Sequence, residues 1–189
     1  KKFNFSLIYK RVNNISYPGK ARNIGINLSK GNYLGFIDSK TIPDIHWIKE
    51  CLALVKNPIK CVIGGVNVQA NSYFQKILRS TSYGIQNNET LVGTIIDKNF
   101  FKKIGFFNEY ARAGEDIDWL NRLKCFKENY ISREKNNILY TGLPDNIKDT
   151  IKKYIIYSYH TSKIEVLRNV KNLYLIFTLM ILSIVIPKY

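Results

Sequence analysis

Residues 33–43 read YLGFIDSKTIP. The apolar run Leu34, Gly35, Phe36 and Ile37 stops abruptly at Asp38-Ser39-Lys40-Thr41, and Pro43, which has no backbone N–H, cannot extend a ladder. The stretch therefore reads as a buried strand, Asn32 to Ser39, ending on a polar edge. In open α/β sheets ligands sit in the crevice outside the carboxyl ends of the strands, which makes Asp38 a candidate site carboxylate. The competing reading is local, because an aspartate before a turn often does no more than bond the nearby backbone.

The flanks say what kind of sheet this strand enters. Upstream, PGKARNIGINLSKG (Pro18 to Gly31) places Ala21, Ile24, Gly25 and Leu28 at helical spacing with Gly31 as a stop, and Phe3 to Arg11 (FNFSLIYKR) alternates in part and reads as a strand. Strand, helix and strand in succession predict parallel pairing in a covered sheet, hence an α/β fold. Downstream, Asp44 is placed to cap a helix running to about Asn57 with Ile45, Ile48, Leu52 and Val55 on its inner face, while His46 and Trp47 read as ordinary packing. Lys60 to Ala70 reads as a strand whose Gly64-Gly65 pair suits a bulge or a close backbone approach. A short helix (Asn71 to Tyr83), a polar loop (Gly84 to Glu89), a strand (Leu91 to Asp97) and a helical turn (Asn99 to Ile104) ended by Gly105 follow. Then Glu115-Asp116-Ile117-Asp118 opens another helix. A helix start is satisfied by one acidic cap, so three carboxylates within four residues exceed the structural need. Helical spacing puts Glu115 and Asp118 on one face and Asp116 on another.

Three pieces of this sequence, Ala21-Arg22-Asn23-Ile24-Gly25, Asp38-Ser39-Lys40, and Ile104-Gly105-Phe106 followed by Gly114-Glu115-Asp116, resemble in order and spacing the nucleotide-sugar transferases of glycosyltransferase family 2. The resemblance covers about residues 15 to 130 and implies the GT-A fold, a Rossmann-like, mostly parallel sheet flanked by helices. It implies that Asp116 is the general base of an inverting sugar transfer, that Glu115 orients the acceptor or the base, and that Asp118 is a weaker acceptor-side candidate. It also implies that Asp38, Lys40, Arg22 and Asn23 meet the donor, although a surface salt bridge is the alternative for Arg22. The chain departs from the family at Lys40, where an aspartate usually ligates Mn²⁺ or Mg²⁺. An ammonium cannot ligate a metal, so Asp38 is the one metal ligand left in the motif and dependence on Mg²⁺ or Mn²⁺ is in doubt. Either Lys40 neutralises the diphosphate itself, with Lys20 and Arg22 adding to the field, or it points away.

The 189 residues suffice for one core and a small appendage. Lys and Arg number 29 against 14 Asp and Glu, a net charge of +15. This excess is spread along the chain and no nucleic-acid signature accompanies it, so a nucleic-acid partner is not expected; an anionic membrane surface remains open. Cys51, Cys61 and Cys125 sit in apolar contexts and read as buried free thiols, and neither they nor His46 and His160 have the spacing of a zinc site. The chain begins at Lys1 and reads as an excerpt: the resemblance implies a further strand-helix-strand unit ahead of it.

Asn136 to Thr141 reads as a last short strand and Gly142 to Asp145 as a turn. From Asn146 to Lys171 apolar residues recur at helical spacing among lysines, with a break near Ser158 to Ser162, and Leu173 to Ile186 is uncharged but shorter than the roughly 20 residues that cross a bilayer. An interfacial helix, a truncated span and a core helix all remain open there, with membrane association favoured by the basic amphipathic segment before it. The expected organisation is a partial GT-A domain over residues 1–143 and a helical extension over 144–189. Its expected function is inverting transfer from a nucleotide-sugar donor to a glycan or lipid-linked acceptor, at the cytoplasmic face of a bacterial membrane in cell-envelope glycan synthesis. An inactive homologue that binds without turnover and a membrane-peripheral scaffold are the alternatives.

Overall fold

In the computed structural model, which describes residues 5–12, 16–82, 89–133, 138–161, 164 and 179, the chain forms a mixed α/β fold. Its elements in order are α1 (Pro18–Leu28), β1 (Tyr33–Gly35), β2 (Thr41–Pro43), α2 (Trp47–Leu54), β3 (Cys61–Val68), α3 (Tyr73–Ser82), β4 (Glu89–Asp97), α4 (Lys98–Ile104), α5 (Glu115–Leu123), a 3-10 turn (Lys127–Asn129), β5 (Tyr130–Ser132), β6 (Ile138–Tyr140) and α6 (Ile147–Thr161). β3 is central, and its Cys61, Val62 and Ile63 are wholly buried. On one edge β3 pairs with β4, which pairs in turn with β1, both antiparallel. On the other edge it takes two parallel strands in succession, β5 beside Cys61–Ile63 and β6 beside Val66–Val68. β2 closes that side, antiparallel to β6.

The sheet is thus mixed and not mostly parallel. A crossover makes neighbouring strands parallel when its helix packs back onto the sheet. Between β3 and β4 the chain passes through α3, which buries Gln75 and Leu78, and β4 returns beside β3 in the opposite direction. β1 takes β4 as its partner and extends by one residue, with Phe36 N–H donating to the Thr94 carbonyl and its own carbonyl accepting from Gly93. The strand expected over Phe3 to Arg11 is not formed within residues 5–12, where Phe5, Leu7, Ile8 and Tyr9 are all more than half exposed. Alternation marks a segment able to pair and does not by itself supply a partner strand. Here the segment lies along α1, where Ile8, Tyr9 and Val12 share a groove with Ala21, Ile24 and Leu28.

α2 turns a different face inward from the one its periodicity suggested. Ile45, Ile48 and Leu52 are exposed, whereas Trp47 and Cys51 are buried with Val55 packed beside them. Both rows fit a helical repeat; the indole decides, because its N–H reaches the Gly93 carbonyl at 2.8 Å in the interior and its ring lies against Gly35. The close approach expected at Gly64 is present. The β3–β4 register shifts between Val62 and Gly64, and a Cβ at Gly64 would stand 2.3 Å from the Val92 carbonyl oxygen.

Beneath β1 lies an aromatic core. Phe101 stacks on Trp119 at 5.3 Å, and Phe107 meets Phe36 edge-on at 5.6 Å. Cys51 and Cys61 are buried free thiols as expected, but Cys125, at the end of α5, is exposed. α6 covers the first part of the helix expected from Asn146; most of its remainder, and nearly all of Leu173 to Ile186, fall outside the described residues. Among the described residues no helix is long and apolar enough to cross a membrane.

Candidate active site

Three segments converge at the carboxyl end of β1. After Phe36 the chain turns through Asp38–Thr41, where the Thr41 hydroxyl and N–H both donate to the Asp38 carbonyl, at 2.6 and 3.2 Å. It then enters β2, whose pairing with β6 lays Lys40 beside Tyr140–Gly142, the Thr141 N–H donating to the Lys40 carbonyl at 2.9 Å. α5 starts after Gly114, whose φ of 89° lies in the left-handed region that favours glycine, and presents Glu115 first. α1, opened by Pro18, where a missing N–H costs nothing, brings Arg22 to both carboxylate segments.

Arg22 is the junction. One guanidinium nitrogen donates to Glu115 Oε1 and the other reaches Asp38 Oδ1 at 3.2 Å, while its carbon lies 5.7 Å above the Phe107 ring. The Glu115 side chain is 4% exposed and that of Asp38 46%, so the bridge runs from the interior to the cleft surface. Burial works against the Arg22 charge, but the carboxylates of Glu115, Asp38 and Asp116 outweigh it and raise the pKa. Burial, and after it the neighbouring Asp116 charge, pushes Glu115 up against the pull of Arg22. The second oxygen of Glu115 is buried and has no hydrogen-bond partner among the described residues.

Beside this junction opens a cleft of about 690 Å³, lined by Arg22, Asp38 and Lys40 and also by Arg112, Gly142 and Lys152. α6 forms one wall and is held at its far end by His160, edge-on to Tyr17 at 5.4 Å. Lys40 lines the cleft and does not point away; Lys20 is not among the lining residues. Asp116 is half-buried at the start of α5, with its Oδ1 accepting from Ile117 N–H at 2.9 Å. It does not line the cleft itself, although its charge acts on Arg22 and Glu115.

Two expected site residues are turned elsewhere. Asn23 is buried, and its amide donates to the Phe107 carbonyl at 3.0 Å and to Glu109 at 2.9 Å while accepting from Phe107 N–H at 3.0 Å. Both its amide donors are spent on pinning the 107–109 loop. Asp118 pairs with Arg122 at 3.0 Å, and Arg122 also caps the Ile104 and Phe106 carbonyls. The two line a shallow depression with Phe106 and Tyr110 and do not reach the Arg22 cleft. Arg112 and Lys152 escaped the sequence reading because the 106–114 segment has no periodicity and the lysines of α6 looked like one solvated face.

The family model for glycosyl transferase family 2 matches residues 1–115. The chain belongs to glycosyl transferase family 2. It is therefore a glycosyltransferase in the general sense, and the family implies a nucleotide-sugar donor and an acceptor. The family 2 match takes in Arg22, Asn23, Asp38 and Lys40 and ends on Glu115, one residue before Asp116. No curated protein matches the chain at a significant level. The divalent ion usual in family 2 does not fit the donor set found here: Asp38 is engaged by Arg22, Lys40 offers no lone pair, and no group of three His, Cys, Asp or Glu able to hold a metal occurs among the described residues.

Proposed function

We propose that the chain transfers a sugar, with inversion at the anomeric carbon, from a nucleotide-sugar donor in the Arg22–Asp38–Lys40 cleft to a membrane-linked or polysaccharide acceptor. The observation that carries this reading is the Arg22 bridge. Arg22 and Glu115 are 93 positions apart, yet with Asp38 they share one guanidinium beside a cleft at the carboxyl end of a strand, the place where open α/β sheets take ligands.

In the proposed reaction the acceptor hydroxyl attacks the anomeric carbon while the carbon–oxygen bond to the diphosphate breaks. The bonding electron pair leaves on the phosphate oxygen, and the hydroxyl proton passes to the Asp116 carboxylate. A single displacement inverts the carbon. Asp38 orients the ribose and diphosphate. Arg22 and Glu115 are positioning residues: the buried Glu115 holds Arg22, and Arg22 holds Asp38.

A membrane-linked acceptor is supported by α6, which leaves Ile147, Ile151 and Ile155 exposed in one helical row among lysines. Cell-envelope glycan synthesis at the cytoplasmic face of a bacterial membrane is the setting we propose, nucleotide sugars being cytoplasmic products. Donor hydrolysis and transfer by the chain and by Asp116→Asn test the reading. The expected result is a fall in kcat of about 100-fold or more with the donor KM and the unfolding midpoint kept. Equal turnover by the two proteins would remove Asp116 as the base, and a chain with no nucleotide-sugar affinity that still binds vesicles would be a scaffold.

A further inference from the structure

We infer that this chain neutralises its donor's diphosphate with Lys40, Arg112 and Lys152 and needs no divalent cation to do so; the inference rests on the transferase reading above. These three side chains line the cleft. Among the described residues none of them has a carboxylate within ion-pair distance, whereas the acidic side chains of the cleft are all engaged: Asp38 by Arg22, Asp145 by the Gln75 amide at 2.6 Å and Asp149 by the Asn146 amide at 2.8 Å. The cleft thus holds three cations in no ion pair among the described residues, facing one carboxylate already bridged by Arg22 and two held in place by neutral amides. A diphosphate about to gain a further negative charge as the sugar leaves requires such a field, and preorganised cations supply it without reorganisation during the reaction.

Lys40 is placed for this by the backbone. Its carbonyl accepts from both the N–H and the hydroxyl of Thr141, at 2.9 and 3.2 Å. Its stem runs so close to Gly142 that a Cβ there would stand 2.6 Å from Lys40 Cδ. The sequence pairs an ammonium in the place of a metal-ligating carboxylate with a glycine that makes room for it. The charge problem that an ion solves with oxygen ligands is here solved by nitrogen donors that bind phosphate directly.

Calorimetric titration of the full chain with pyrophosphate and with nucleoside diphosphates, in chelator and again in Mg²⁺ or Mn²⁺, tests the inference. Binding in chelator, unimproved by metal, is expected. Lys40→Ala and Arg112→Ala are each expected to weaken it on the order of 10-fold, the loss of one charge-assisted hydrogen bond. Lys148→Ala, on the same helix as Lys152 but outside the cleft, is expected to bind as the parent does. Lys40→Asp is expected to lose binding in chelator and to regain part of it with Mn²⁺. Binding by the parent only when metal is present would overturn the inference and leave the transferase reading standing. Equal weakening by Lys148→Ala would overturn it as unspecific attraction. Absence of binding to every diphosphate under both conditions would overturn both.

Discussion

Replacing Arg22 by methionine strands the Glu115 carboxylate in the interior. Glu115 already has one oxygen without a partner among the described residues, and its other oxygen loses the guanidinium, while Asp116 keeps repelling it. Breaking a buried pair from one side costs about 3–5 kcal/mol. The Asp38 arm adds under ~1 kcal/mol, because that carboxylate is half exposed. With Arg22 itself 17% exposed, the lower end applies, and Arg22→Met is expected to lose about 3 kcal/mol at pH 8. The loss should depend on pH. Burial holds the folded-state pKa of Glu115 above its ordinary value of 4.5, and removal of Arg22 pushes it further up. A group with a raised folded pKa binds its proton more tightly when folded, so stability is regained as pH falls through that pKa and is lost as pH rises through it. The deficit should therefore be smaller at pH 5 than at pH 8. Glu115→Gln in the same chain removes the stranded charge and should restore most of the loss at pH 8. Urea unfolding followed by tryptophan fluorescence, with Trp119 close beneath the site, measures all of this. A deficit under about 1 kcal/mol at pH 8, or one equal at pH 5 and pH 8, would refute the bridge as the organising contact.

Other outcomes are open to direct measurement. Asn23→Ala removes all three hydrogen bonds to the 107–109 loop and is expected to destabilise by about 2–4 kcal/mol in urea unfolding, since buried partners are left unsatisfied. Gly64→Ala drives a Cβ into the β4 backbone and should cost at least about 3 kcal/mol, seen as a lowered Tm or as failure to fold. Thiol titration of the native chain at pH 8 should show rapid reaction of Cys125 alone, because burial both hides Cys51 and Cys61 and pushes their thiol pKa values up; all three cysteines should react in denaturant.

Much of the site was legible because its signals are local. Asp38 stands where an apolar run meets a polar turn and a proline, and Glu115-Asp116-Asp118 carries more charge than a helix start uses. β3 announced itself by the apolar residues of Lys60 to Ala70, and Gly64 by the absence of a side chain where a bulge was wanted. Ladder direction was not legible, since apolar runs report burial and not polarity of pairing. The inner face of α2 was ambiguous because the rows through Ile48 and through Trp47 share one period, and only the distant Gly93 carbonyl separates them. Asn23 follows Arg22 in sequence, but its orientation depends on Phe107 and Glu109, over 80 positions later. Arg112 and Lys152 enter the cleft by tertiary placement that no periodicity encodes.

A crystal structure of the chain with a bound nucleoside diphosphate tests the shared cleft most directly. The expected result is a diphosphate seated between the Asp38–Lys40 turn and Gly142, within hydrogen-bond distance of Lys40 Nζ and with Arg22 still bridging Asp38 and Glu115. A nucleotide bound away from that turn, such as in the groove between Ile8 and Ile24, would contradict it.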